Sequence, residues 1–358
     1  VCRFVERAFD FRAIGGETHE LKTMNDRSSS QPLVSIVTPS FDQAAFIEQT
    51  LLSVLNQDYP NIEYIVIDGG STDGSQAIIE RYADRLSYWV SEPDRGHPHA
   101  VNKGFRRATG EILAFLNSDD LYMAGAVSQA VEALLDQPEA GMVYADGYLI
   151  DSQDQLLDPH YYRTFSLLEL LCNEVLLQPT VFMRREIFDR IGGLEEEYPL
   201  VFDHVLWIRF ASIAPIVHVP SFWAVERTHS DAKTAARAAE FVEDTEHFLA
   251  DAETRADLFP IIDENRNRVY GSLDVYAARR LIDSGRYWDA TRRILRAFRR
   301  YPFVVLRYWY KAVQALLSAL GFEGLFMWYR RTRRRMKYGK YRIVISNRGV
   351  ELLDCSGK

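Results

Sequence analysis

The chain has 358 residues, 47% of them hydrophobic and 26% charged, with a formal net charge of -8. This is ordinary globular composition; it excludes a fibrous, collagenous or low-complexity protein, and the length suggests about two domains. The charge is uneven: from Arg286 to Arg342, 16 Lys/Arg stand against only Asp289 and Glu323, so an acidic body carries a basic tail suited to an anionic surface. The three cysteines, Cys2, Cys172 and Cys355, match no zinc spacing and no disulfide framework, so a reducing cytoplasm is expected. The first residues lack a basic start followed by an apolar run, so no secretory leader is expected. Residues 1–31 show no sustained periodicity and end in a linker-like Asp26-Arg27-Ser28-Ser29-Ser30-Gln31; Met24 is a candidate start, which would make 1–23 an upstream extension.

From Pro32 strands and helices alternate. Leu33 to Thr38 reads as an apolar strand, and Phe46, Ile47, Thr50, Leu51, Val54 and Leu55 then recur at helical spacing. Ile62 to Ile67 is a second strand ending at Asp68-Gly69-Gly70, and Ser71 and Asp73 can start the next helix. Leu86 to Val90 is a third strand, and a short helix through Ala100, Phe105 and Ala108 stops at Gly110. Ile112 to Leu116, a helix through Val127 and Leu134, and Gly141 to Ala145 follow. This βαβ order predicts a mainly parallel sheet flanked by helices, with Thr38, Asp68, Glu92-Pro93-Asp94 and Asp119 gathered at strand ends. Beyond residue 150 the pattern loosens: Gln178 to Met183 reads as a strand, Asp203 to Ala211 as a helix, and Pro215 to Pro220 and Phe222 to Glu226 as short strands. Residues 232–300 read as all-helical, with a helix–turn–helix over Tyr276 to Ala290.

Asn117-Ser118-Asp119-Asp120 is the most informative stretch. Carboxylates at the carboxyl edge of an open α/β sheet lie where such sheets bind ligands. They cost folding energy unless a cation satisfies them, and a divalent metal carrying a diphosphate does so. The other reading is a helix N-cap, with Ser118 or Asp119 starting a helix near Tyr122.

Ten motifs in order tie Pro32 to about Thr234 to a known family. Among them are Val34 to Ser40, Ile67-Asp68-Gly69-Gly70-Ser71-Thr72-Asp73-Gly74, Glu92 to Gly96, Asn102-Lys103-Gly104, Asn117 to Asp120, Gln178-Pro179-Thr180, Gly192-Gly193-Leu194, Asp203 to Trp207 and Arg227-Thr228-His229. The segment resembles family-2 glycosyltransferases of the GT-A fold, of the bacterial surface-polysaccharide type. The resemblance implies an α/β GT-A domain over 32–231, a helical region over 232–300 and a basic aromatic tail over 301–358. It also implies an inverting transfer of one sugar from a nucleotide-diphosphate sugar to a saccharide, in particular a lipid-linked one. Thr38, Pro39 and Asp68 match nucleoside contacts, and Asp94, Lys103, Asn117 and Asp119 match the rest of the nucleotide-sugar site. Asp119, Asp120 and His229 match the ligands of Mg2+ or Mn2+, with Asp119 as direct ligand and Asn117 standing where many relatives have Asp. Asp203 matches the catalytic base. Each has a plainer alternative: Asp68-Gly69-Gly70 as a turn, Lys103 as a solvated lysine, His229 as a surface histidine, Asp203 as a helix cap. His97 and His99 depart from the family, which commonly has Asp at the position of His99.

The tail from Phe303 to Tyr329 is aromatic and aliphatic but broken by Arg307, Lys311 and Glu323, and its longest uncharged stretch falls short of the ~20 apolar residues of a membrane span. Arg330-Arg331-Thr332-Arg333-Arg334-Arg335 follows directly. Such a segment suits a helix on an anionic membrane surface, on the inner face of the cell membrane; an ordinary packed helix with a basic end is the alternative. Nucleic acid is not expected, because no nucleic-acid module precedes the arginines. Residues 341–345 read as one late strand without an identified partner. The Gln-x-x-Arg-Trp motif and membrane spans of processive synthases are absent from the sequence, so single additions are expected. Two other functions stay open: a nucleotidyltransferase, for which Thr38 to Gln43 is not the required glycine-rich loop, and a catalytically weak membrane scaffold.

Overall fold

The computed structural model describes residues 31–228, 237–346 and 349–355. Contacts divide the chain into Val1–Gln31 and Pro32–Lys358, and everything below concerns the second unit. Its first half alternates as the periodicity predicts. β1 (Val34–Ser40), α1 (Ile47–Leu55), β2 (Ile62–Asp68), α2 (Ser75–Glu80), β3 (Tyr88–Ser91), α3 (His97–Arg107) and β4 (Ile112–Phe115) follow one another. β5 (Leu121–Tyr122), α4 (Ala126–Asp136), β6 (Met142–Ile150), β7 (Leu156–His160), α5 (Leu167–Leu171), β8 (Phe182–Arg184), α6 (Arg185–Ile191), α7 (Phe202–Ile213) and β9 (Ile216–Arg227) complete the sheet.

The strand order is β3-β2-β1-β4-β8-β6-β9-β5, with β7 added beside β6. β1 to β4 are mutually parallel, and β8 is antiparallel to both β4 and β6. β6 therefore points the same way as β4, and β9 runs parallel to β6. The carboxyl ends of β1–β4, β6 and β9 share one edge, which is what gathers the acids. Apolar clusters fill both faces: Val37, Phe115, Trp207 and Phe210 on one, Ile36, Leu51, Val127 and Trp223 on the other.

Several boundaries differ from expectation. Gln178–Thr180 is a 3-10 turn and only Phe182–Arg184 is strand, because Pro179 cannot donate to a ladder. Residues 216–227 form one strand rather than two, with the pairing shifting around Asp146 where Pro220 interrupts. Tyr122 lies in β5, and α4 starts only at Ala126 behind a left-handed Gly125 with no side-chain cap. The N-cap reading of Ser118 and Asp119 is therefore overturned.

Helices α8 (Ala238–Ala252), α9 (Phe259–Glu264), α10 (Arg266–Asp283), α11 (Tyr287–Arg300), α12 (Pro302–Arg307), α13 (Trp309–Ala319) and α14 (Glu323–Tyr338) follow. α10 and α11 form the expected helix–turn–helix, turning at Gly285, which adopts φ 75°. The fully buried Asp274 pins the pair through Arg293 at 3.1 Å and Arg300 at 3.0 Å. The late strand has its partner next to it: β10 (Tyr341–Ser346) and β11 (Gly349–Asp354) are a hairpin. Its Ile343 and Val350 pack on Leu121, Ile150 and Val225 of the sheet.

Candidate active site

The site begins where β1 and β2 end. Thr38 is fully buried and its hydroxyl lies 2.9 Å from Tyr64 Oη. Asp68 is also buried. Its carboxylate accepts from Gly70 N, Ser71 N, Ser71 Oγ and Ser91 Oγ at 2.5–3.1 Å. Those four donors fold the glycine turn and tie β2 to β3. Gly70 takes φ 86°, and a Cβ on Gly69 would stand 2.9 Å from Asp94 Oδ2, so the turn and the Asp94 loop are in close approach. Asp94 accepts from Gly96 N at 2.7 Å. Phe41, which the motif reading passed over, packs beside Gly69 and yet is 61% exposed. Its signal in the sequence was an aromatic directly after a strand end.

Lys103 is ion-paired with Glu92, the first residue of the Asp94 loop. Asn102 latches another expected motif: it accepts from Leu194 N at 3.1 Å and donates to Leu194 O at 3.0 Å, holding the Gly192-Gly193 turn. His97 sits edge-on to Phe202, and His99 Nδ1 accepts from Arg95 N.

The acidic centre is assembled by β5. Leu121 pairs with Val225, which sets Asp120 opposite Glu226. Asp120 is buried; it accepts from Arg227 N at 2.9 Å and from Asn117 Nδ2 at 3.1 Å. Burial first, then the charges of Asp119 and Glu226, push its pKa well above the usual carboxylate range. Asn117 Oδ1 is buried with no hydrogen-bond partner among the described residues. Arg227 stitches the loop: Nε donates to Asp119 O, Nη2 to Gln49 Oε1 and Nη1 to Asp154 Oδ1. His229 lies outside the described residues.

Asp203 stands in the first turn of α7, whose N-cap is Val201 and has no side-chain cap bond. Its Oδ1 accepts from His204 N at 2.7 Å. Burial raises its pKa to about 6, offset in part by that bond and by Arg280. Glu226 connects the two acids. Burial raises its pKa first and the Asp119 charge second, with Asp203 adding to the rise and Arg280 opposing it. Glu226 and Arg280 are the functional candidates that sequence reasoning missed. Glu226 had a signal, a carboxylate ending a strand beside Arg227-Thr228-His229. Arg280 had none, because it lies on α10, far along the chain from both acids.

Among the described residues, Glu197, His247 and Asp251 also bring ligand atoms within 4.8 Å of one another, but this group, with Asp251 half-buried and the other two exposed, contains none of the expected metal ligands.

In open α/β sheets the carboxyl edge, where these acids and turns lie, is where ligands bind. The sequence model described as Glycosyl transferase family 2 matches residues 35–192. An uncharacterized glycosyltransferase of Mycobacterium tuberculosis is 32% identical over 197 residues, covering 53% of this chain and 73% of that protein. The putative teichuronic acid biosynthesis glycosyltransferase TuaG of Bacillus subtilis is 34% identical over 162 residues, covering 44% of this chain and 64% of that protein. In structure the chain is similar to the mannosyltransferase PcManGT from Pyrobaculum calidifontis, solved in complex with GDP-Man and Mn2+. That match has TM-score 0.54 and 20% identity over 81% of this chain and 86% of that one, which supports the fold alone. The chain belongs to glycosyltransferase family 2, with a GT-A-type fold, and is a glycosyltransferase.

Proposed function

We propose that this enzyme moves one sugar from a nucleotide-diphosphate sugar to a hydroxyl of a saccharide acceptor, inverting the anomeric carbon. The observation that carries this reading is Asp203, a carboxylate held at a helix start with its pKa raised to about 6. A base with that pKa takes the acceptor proton as the oxygen attacks, and is still ionised near neutral pH. On the donor side Phe41 offers a flat apolar face for a nucleobase, beside Pro39 and the Asp94 loop. Asp68 acts by shaping the turn. Lys103 would contact phosphate by exchanging Glu92 for it.

The acidic centre fits a divalent cation, Mg2+ or Mn2+. The charge of Asp119 raises the pKa values of both Asp120 and Glu226, and Asn117 Oδ1 has no hydrogen-bond partner among the described residues; a cation relieves both. Asp119 is the direct ligand, Asp120 supports the loop from behind, and His229 remains a sequence-based candidate. When bound, the cation neutralises the donor diphosphate and the leaving nucleotide. Hydrolysis of a panel of nucleotide sugars with Mg2+ or Mn2+ tests the reading: turnover of at least one donor is expected, and turnover of none overturns it. Calorimetry of Asp119→Ala should show weaker nucleotide-sugar binding with Mn2+ and nearly unchanged binding with chelator. Equal loss in both conditions would remove Asp119 from the metal.

The acceptor reading is a lipid-linked saccharide at the inner face of the cell membrane. No described helix is long and apolar enough to cross a membrane. What supports surface attachment is an exposed apolar row on α12–α14, including Phe303, Leu306, Trp309, Leu320, Leu325 and Trp328. α14 has no buried residue. Arg333 and Arg334 are ion-paired with Asp158, which leaves Arg330, Arg331, Arg335 and Lys337 without an ion pair among the described residues and available to anionic lipid.

A further inference from the structure

A pocket of about 190 Å3 lies between α10, α12 and the loop after α5, outside the sheet edge described above. It is smaller than the ~300–1,000 Å3 of sites for drug-sized ligands, and suits a diphosphate or one sugar ring. Its wall carries Arg268, Arg279 and Arg307 against Glu169 and Glu174. Both carboxylates are already used: Glu169 pairs with Arg163, and Glu174 with Arg307. Arg268 and Arg279 have no ion pair among the described residues, so the pocket keeps a positive excess. Arg279 and Arg307 both stack on Tyr308, at 5.5 and 5.3 Å, which fixes two guanidiniums about one ring. Arginines held in this way are suited to bidentate phosphate recognition.

The position of the pocket gives the charge its meaning. One wall is Tyr276, whose ring lies 5.2 Å from the guanidinium of Arg280 and whose hydroxyl is bonded by it at 3.3 Å. Arg280 is the cation that acts on Asp203 and Glu226. Phe303, 68% exposed, also lines the pocket and precedes the exposed Leu306 and Trp309. Exposed apolar surface and cationic pocket thus share Phe303, and Tyr276 joins the pocket to Arg280.

We propose that this pocket binds the phosphate or diphosphate of an amphiphilic acceptor, with its lipid along α12–α13 and its sugar hydroxyl directed to Asp203. The inference rests on the transferase reading above and adds the site and charge of the acceptor's link. The probes are inorganic pyrophosphate, farnesyl diphosphate and farnesol, titrated calorimetrically into the full chain in chelator, so that the metal-dependent donor site stays silent. Farnesyl diphosphate should bind most tightly, pyrophosphate at least tenfold more weakly, and farnesol without saturation. Arg279→Ala, an exposed position, and Arg268→Ala should each weaken farnesyl diphosphate at least tenfold, whereas Asp119→Ala should not. Equal affinity for pyrophosphate and farnesyl diphosphate would indicate a free-phosphate site and overturn the acceptor assignment. Loss with Asp119→Ala but not with the arginine variants would place the anion at the sheet edge and overturn the pocket. If nucleotide sugars are hydrolysed while no diphosphate binds, this proposal fails and the transferase reading stands; if no donor is turned over, the transferase reading itself fails.

Discussion

Asp203 and Glu226 are linked by charge and opposite in expected phenotype. Asp203→Asn should keep donor binding and lose about 10²–10⁴ in transfer rate, the usual worth of a positioned base. In the wild type, kcat should fall as pH drops through about 6, because the carboxyl then holds its proton and cannot accept another. A flat rate between pH 5 and 8 would take the base role away from Asp203. Glu226 has a raised folded pKa, so the folded chain holds a proton that the unfolded chain releases more readily. Stability from this group is present at low pH and is lost as pH rises past the ordinary carboxylate range. Glu226→Gln should therefore raise stability by ~1–2 kcal/mol at pH 8 in metal-free buffer and change it little at pH 5, while lowering activity. Thermal melts at the two pH values check the sign.

At the scale of elements, what could be read was what is local. β1, β2 and β4 are continuous apolar runs ended by polar turns, and α1 and α4 carry long helical periodicity, so each was legible within one or two residues. β5 has two residues and β8 three, too few for any period to show. Yet β5 sets Asp120 against Glu226, so half of the acidic centre depends on an element with almost no sequence signature. Asp119 and Asp203 were legible because each adjoins an element end. Arg280 was not, because it acts on the acids only through charge and lies on α10, far from them in sequence. Asp68 was read as a nucleoside contact or part of a turn; two of the four donors to its carboxylate are side chains, and Ser91 belongs to the next strand, which no local pattern shows. The hairpin is the element most open to test. Ile343 is buried against Leu121, Ile150 and Val225, so Ile343→Ala should cost ~2–5 kcal/mol, read as a lowered denaturant midpoint. A change under 0.5 kcal/mol would show that the hairpin is not docked in solution.

For the whole molecule, the charge asymmetry of the sequence becomes an asymmetry of faces. Trp309 and Trp328 are 62% and 63% exposed on the tail helices, and Arg330 and Arg331 follow Trp328 in α14. Trp309→Ser with Trp328→Ser, and separately Arg330→Gln with Arg331→Gln, should each reduce sedimentation with anionic vesicles about tenfold or more. The second loss should shrink as salt shortens the Debye length below ~8 Å. Cosedimentation that is indifferent to both pairs would leave the aromatic row for a protein partner. Point substitutions are the appropriate variants here, since removing residues 303–358 would also strip the cover from Leu121 and Val225.

That cover has a consequence for how the protein is made. Gln155 donates to Tyr341 O across 186 residues, and Ala124 N donates to Val350 O. On the ribosome, β5 and β9 emerge long before the strands that shield them. Until β10 and β11 are synthesised, Leu121, Ile150 and Val225 face water on a nascent chain. Contacts this distant in sequence close slowly, and exposed apolar strands are what holdase chaperones grip. Birth of the catalytic edge is thus a late event, and premature termination anywhere in the tail should yield a sticky product rather than a shorter enzyme.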